Sequence, residues 1–274
     1  MVRIGNLATR ILVAAVAVPL IILLLYQRHH ELLWVVVFAA SLLTMYEVFA
    51  MTLADRRDRF VSLAIGALAA GGFYWLPARC SPEMAAFLFS FTAPGLYYLF
   101  RPGDIASAAE RLAFTMIGIV YGGLSFAFIA FIKRDFGPAG GDTVFLLLAT
   151  AWLSDTGGYF AGKYLGRRKL YPAVSPNKTW AGAVAGTAAA VAGGFVMHEW
   201  RMRGLAVADV VVLTGVGSAL GQLGDLVESL LKRSRGVKDS GDILPGHGGL
   251  LDRVDAVLFI APWFYLYSLY RMAP

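Results

Sequence analysis

An all-α, polytopic membrane helix bundle is the fold class this sequence predicts, and three observations predict it. Of the 274 residues, 58% are hydrophobic and only 15% are charged, against about 25% charged in ordinary soluble domains. The apolar residues fall in blocks of 17 to 25, and a helix of about 20 residues crosses a hydrocarbon core of about 30 Å. Alternation at period two, the mark of a membrane barrel, is absent from the sequence.

About nine spans are expected, near 7–26, 31–51, 61–78, 84–100, 111–132, 143–161, 180–198, 207–231 and 254–272. The first follows Arg3 and Arg10 in the manner of a secretory signal. However, Tyr26-Gln27-Arg28-His29-His30 offers no small-residue cleavage site, so a retained helix is expected. Short basic loops join the next four. Asp55, Arg56, Arg57 and Asp58 read as a solvated turn at the lipid headgroups. The turn-rich run from Phe136 to Asp142 marks a boundary inside one membrane domain, 1–274, between a helical scaffold (1–135) and a second half (136–274). In that half the pairs Gly182/Gly186 and Gly217/Gly221 each put two glycines on one helix face, which suits tight helix packing.

Orientation follows from the basic residues. With nine spans, 17 of the 24 Lys and Arg lie at the N-terminus and in the loops on its side of the bilayer, and 7 lie on the other. The positive-inside rule therefore makes the N-terminus cytoplasmic, together with the loops near 162–178 and 232–253. Cys80 is the single cysteine, which excludes an intramolecular disulfide or a thiolate metal cluster. Gly215-Val216-Gly217 has the wrong spacing for a dinucleotide fingerprint, and no P-loop is present. No internal repeat suggests a transporter built from inverted halves.

The chemistry concentrates in residues 224–255. Asp225 and Glu228 are three apart and share a helix face; Asp252 and Asp255 repeat that spacing at the start of the last span. The glycine-rich, polar stretch 233–251 should fold back and bring both pairs to one end of the bundle. Carboxylates so placed repel one another unless a cation sits among them, and oxygen-only ligation favours Mg2+. The competing reading is a set of salt bridges with Lys232, Arg233 and Arg253. Asp155 lies mid-span, at a cost of about 2.5–3.5 kcal/mol on insertion scales. It either completes a metal or headgroup site or pairs with Lys163 or Lys178. The bases form two groups, Lys163, Arg167, Arg168, Lys169 and Lys178, and Lys232, Arg233 and Lys238. Arg167-Arg168-Lys169 suits anionic lipid of the inner leaflet. Ser175-Pro176-Asn177-Lys178-Thr179 presents a hydroxyl, an amide and an ammonium at a helix entrance, where phosphate is favoured. The turn Pro245-Gly246-His247-Gly248-Gly249 can aim backbone N–H groups at an anion.

In one register, Ser229-Leu-Leu-Lys232-Arg233, then Lys238-Asp239, then Pro245-Gly-His247-Gly248-Gly, then Asp252-Arg253-Val-Asp255 resembles the signature of phosphatidate cytidylyltransferases (CDP-diacylglycerol synthases). Ser154-Asp155-Thr156-Gly157-Gly158-Tyr159-Phe160-Ala161-Gly162-Lys163 and Val174-Ser175-Pro176-Asn177-Lys178-Thr179-Trp180 are similar to two further segments of that family. These matches occupy a little under half of the chain, at its C-terminal end. One position departs: where the family often has an acidic or amide residue after Trp180, this chain has Ala181.

The resemblance implies an enzyme of phospholipid biosynthesis in the cell (inner) membrane, its site facing the cytoplasm, that joins CTP to phosphatidate. It implies Asp225, Asp252 and Asp255 as ligands of Mg2+ or their supports, with a second cation allowed. Lys178, Lys238 and His247 would steady phosphates. Asp239 belongs to the catalytic set, and Ser175, Asn177, Thr179, Lys232, Arg233, Gly248, Arg253 and Asp155 line the substrates. Membrane lipids are expected around the chain, a homodimer is expected, and nucleic acid is not a partner. The rival readings are a related CTP-dependent lipid kinase, an ether-lipid cytidylyltransferase and, further off, an ion-coupled transporter.

Overall fold

The computed structural model describes residues 18–241 and 248–272. The described chain is helical apart from one short hairpin. Helix α1, described over residues 18–26, is followed by α2 (His30–Thr52), α3 (Arg56–Trp75) and α4 (Pro82–Phe100). Helix α5 (Ala108–Ile117) runs through a π-helical turn, Gly118–Leu124, into α6 (Ser125–Asp135). Then come α7 (Gly137–Leu165), strands β1 (Lys169–Tyr171) and β2 (Ser175–Thr179), α8 (Trp180–Arg201), α9 (Val207–Ser234) and α10 (Leu251–Met272). Among the described residues five helical stretches are long and apolar enough to cross a membrane: α2, the continuous Ile105–Asp135, α7, α8 and α9.

Local chemistry sets the boundaries. Asp55 caps α3 by accepting from the Arg57 N–H at 2.7 Å. Pro82 stands in the first turn of α4, where its missing N–H costs nothing. The turn cluster at 136–142 is shorter than its composition suggests. Gly137 takes φ +51°, and α7 starts there, with Gly140 to Asp142 already helical. Strands β1 and β2 pair antiparallel, and Thr179 ends β2 as the cap of α8, accepting from Gly182 N–H at 3.1 Å.

Helices α7, α8 and α9 pack side by side, and α10 lies against α9 and α6. The small-residue faces are used within one chain. A Cβ at Gly186 would stand 2.6 Å from the Ser154 carbonyl oxygen of α7. A buried polar net fills the same interface. Gln222 donates to Thr187, to Ser218 and to the Ala183 carbonyl, each at 3.2 Å, and Ser154 meets Ser218 at 2.7 Å. The apolar core lies between α2, the π-turn, α6 and α10, around Met45, Phe49, Ile119, Ile132, Ile260 and Phe264.

The turn at 55–58 is only half solvated. Asp58 is buried and accepts from Tyr97 at 2.7 Å and Arg111 at 3.0 Å. It ties three helices together because a buried carboxylate must find donors.

Candidate functional site

Helices α9 and α10 bring their acids together because α9 has no side chain where they touch. A Cβ at Gly224 would lie 2.8 Å from the Asp255 carbonyl oxygen. With the backbones that close, oxygens of Asp225, Glu228 and Asp255 lie within 4.8 Å of one another. Two ammonium groups partly offset this charge. Lys178, from β2, meets Asp225 at 2.5 Å and the Gln222 carbonyl at 3.4 Å. Lys232 meets Glu228 at 2.7 Å and Asp252 at 2.6 Å. One Glu228 oxygen, Oε1, is buried and has no hydrogen-bond partner among the described residues. A hard, oxygen-seeking divalent cation fits this donor set.

Asp252, expected to join Asp225 on a metal, stands beside the close acids and has several donors of its own. Among the described residues the close trio is Asp225, Glu228 and Asp255; Asp252 adjoins it through Glu228, the two carboxyl groups lying within hydrogen-bond reach of each other and sharing the Lys232 ammonium. One Asp252 oxygen takes the Lys232 ammonium. The other accepts from Ser240 N–H at 3.1 Å, Ser240 Oγ at 3.0 Å and Gly249 N–H at 3.1 Å. Asp252 thus ties Ser240 to Gly249 ahead of the last apolar span. Burial alone would raise its carboxyl, but hydrogen bonds with Glu228, Lys232 and the Ser240 backbone outweigh burial and hold the group at about 2, ionised. Gly248, at φ +79°, starts the approach, and a Cβ on Gly249 would collide with Ser240 Oγ.

The remaining expected residues divide. Asp155 feels the charges of Asp225 and Lys178, while Lys163 lies over the Tyr159 and Tyr164 rings instead. Thr179 caps α8, Ser175 is half-buried and Asn177 is exposed on β2. Arg233 donates to the Val237 carbonyl at 3.0 Å. Lys238, Asp239 and Arg253 are exposed. His247 lies outside the described residues.

Two residues of the scaffold half reach this region unannounced. Glu47 of α2, 1% exposed, accepts from the N–H groups of Leu250 and Leu251 at 2.8 Å each and from Ser240 Oγ at 3.2 Å. It therefore caps the start of α10 from another helix. Its signal was available, since Glu47 is the one charged residue of the 31–51 span beyond Glu31. Tyr121, in the π-turn, meets Phe259 of α10 ring to ring at 5.6 Å; its sequence context carries no comparable signal.

Comparison with known proteins gives a concordant picture. The model of the cytidylyltransferase family matches residues 8–270. The phosphatidate cytidylyltransferase of Brucella suis biovar 1 (strain 1330) is 45% identical over 155 residues, 55% of this chain and 55% of the relative. That of Bacillus subtilis (strain 168) is 40% identical over 156 residues, 57% of this chain and 58% of the relative. These matches span little more than half the length of either relative. That of Thermotoga maritima is 30% identical over 281 residues, 95% of this chain and 96% of the relative.

Proposed function

This chain belongs to the cytidylyltransferase family, and from that premise we propose that it transfers the cytidylyl group of CTP to phosphatidate, forming CDP-diacylglycerol and pyrophosphate. A lipid phosphate oxygen attacks the α-phosphorus of CTP in line. The bond from that phosphorus to the β-phosphate oxygen breaks, and pyrophosphate leaves with the electron pair. The carrying observation is the convergence of Asp225, Glu228 and Asp255 within 4.8 Å, with one buried Glu228 oxygen unpartnered.

Asp225, Glu228 and Asp255 would hold Mg2+, which when bound neutralises phosphate charge and draws nucleotide and lipid oxygens together. Asp252 ties Ser240 to Gly249 beside the acids and holds Lys232 beside Glu228. Lys178 on β2 balances Asp225 and is placed to turn toward a phosphate. Lys238 after α9, Arg233 at the end of α9, Arg253 at the start of α10, and Asn177 and Ser175 on β2 would meet the substrates, with Asp239 and His247 assigned there by the family signature. Catalysis is positioning and charge neutralisation, with no covalent intermediate on the protein.

The site faces the cytoplasm of the cell membrane in a nine-span arrangement with an inner N-terminus. Polar contacts support this, because they join segments that the arrangement puts on one side. Arg235 pairs with Glu110 and reaches the Thr52 carbonyl, and Arg101 pairs with Asp55. On the opposite side Asp142 accepts from Tyr26 and Arg201, and Tyr265 donates to Asp135. The scaffold and catalytic halves form one domain, stitched by Glu47.

The test is to incubate purified protein with phosphatidate, Mg2+ and CTP labelled at either the α- or the γ-phosphate. Label from the α position alone should enter the lipid, with pyrophosphate released. Transfer of the γ label to lipid would replace this reading with a kinase.

A further inference from the structure

We propose that the Tyr121 hydroxyl belongs to the reaction site and donates its hydrogen bond to a phosphoryl oxygen bound beside Asp225, Glu228 and Asp255. The inference rests on the reading of that trio as a cation and phosphate site. Three observations lead to it.

The first is backbone geometry. Tyr121 sits in the π-helical turn Gly118–Leu124, a distortion frequently found at functional sites. The turn is pressed onto α2: a Cβ at Gly118 would collide with the Phe49 ring, and one at Gly122 would lie 3.2 Å from the Met45 nitrogen. Glycines thus hold the widened turn in place.

The second is where the ring goes. It packs edge-on against Phe259, and Phe259 itself lies over Gly224, where a Cβ would stand 2.9 Å from its ring. Tyr121 is therefore one side chain away from the point where α9 and α10 meet. The charges that act on its phenol are those of Asp255, Glu228 and Asp225.

The third is an unmet hydrogen bond. Tyr121 is 8% exposed, and its hydroxyl has no partner among the described residues. Buried polar atoms are normally paired, and the trio holds a second exception, Glu228 Oε1. One orphan is a donor and the other a carboxyl oxygen. A phosphate riding on a cation satisfies both, the phenol giving its proton to a phosphoryl oxygen while the carboxylate takes the metal. That oxygen belongs either to the nucleotide or to the lipid phosphate.

Tyr121→Phe removes one oxygen and keeps the ring. The expected result is a fall in liponucleotide formation of about tenfold, with the melting temperature of the ligand-free protein in detergent unchanged or higher. The KM that rises, for CTP or for phosphatidate, names the source of the oxygen. Binding is read separately from turnover, as the thermal stabilisation produced by CTP with Mg2+ and by phosphatidate alone; one of the two should shrink in the variant. Wild-type turnover together with wild-type stabilisation by both ligands would overturn the proposal. So would a loss of turnover that merely follows a lowered melting temperature. Should the unaltered protein form no liponucleotide, the proposed function fails, and the two stabilisation measurements still decide the role of Tyr121.

Discussion

The acids at one end of this bundle and the trio at the other are handled in opposite ways. At one end each buried acid has its own base and its own phenol. Asp209 accepts from Arg271 at 2.8 and 3.2 Å and from Tyr267 at 2.8 Å. Asp142 likewise accepts from Arg201 and Tyr26 at 2.8 Å each. At the other end Asp225, Glu228 and Asp255 crowd together, served by Lys178 and Lys232, and a buried Glu228 oxygen is unpartnered. A carboxylate whose lone pairs are filled by its neighbours holds helices together. Carboxylates gathered faster than their counter-ions repel one another, so they favour a cation and disfavour the empty fold.

Substitution should separate the two kinds. Asp225→Asn removes a charged ligand and relieves repulsion, so turnover should fall on the order of 10²–10³-fold while the melting temperature holds or rises. A melting temperature that drops together with activity would make Asp225 structural, like Asp209. Glu47→Gln tests the clamp between the halves, because an amide cannot accept both the Leu250 and Leu251 N–H groups as the carboxylate does. Turnover should fall by about 10- to 100-fold as the loop shifts, with a loss of about 1–3 kcal/mol in stability from unpaired N–H groups; wild-type values on both counts would remove Glu47 from the account. Gly249→Ala should displace Ser240 and lower turnover by about tenfold, with helix content by circular dichroism preserved. Asp209→Asn closes the series: turnover within about twofold of wild type, and a melting temperature lower by about 2–4 °C.

Much of the fold is legible in the sequence for a simple reason. In a membrane, apolar length alone marks a helix, so α2 to α4 and α7 to α10 fall close to their apolar blocks. The three-residue spacing of Asp225 and Glu228 likewise puts both on the α9 face that meets α10. What stays hidden depends on contacts between distant segments. The spacing of Asp252 and Asp255 copies that of the α9 pair, and only the approach of Lys232, Ser240 and Gly249 shows that Asp252 is also tied to the segment ahead of α10, with Glu228 in the close trio beside it. Asp58 sits among charges that read as a headgroup turn, and only the approach of Arg111, 53 residues on, shows it to be buried. Glu47 was the visible exception, a lone carboxylate in an apolar span. Tyr121 was invisible, because a π-turn has no sequence period of its own.

Direct cation binding is the sharpest test of the central claim. Mn2+ titrated into the purified protein without substrates, and followed by its electron paramagnetic resonance signal, should show a bound ion. Asp225→Asn and Glu228→Gln should each release it, whereas Asp209→Asn should keep it. Undiminished Mn2+ binding by the first two variants would contradict the assignment of these carboxylates to a metal.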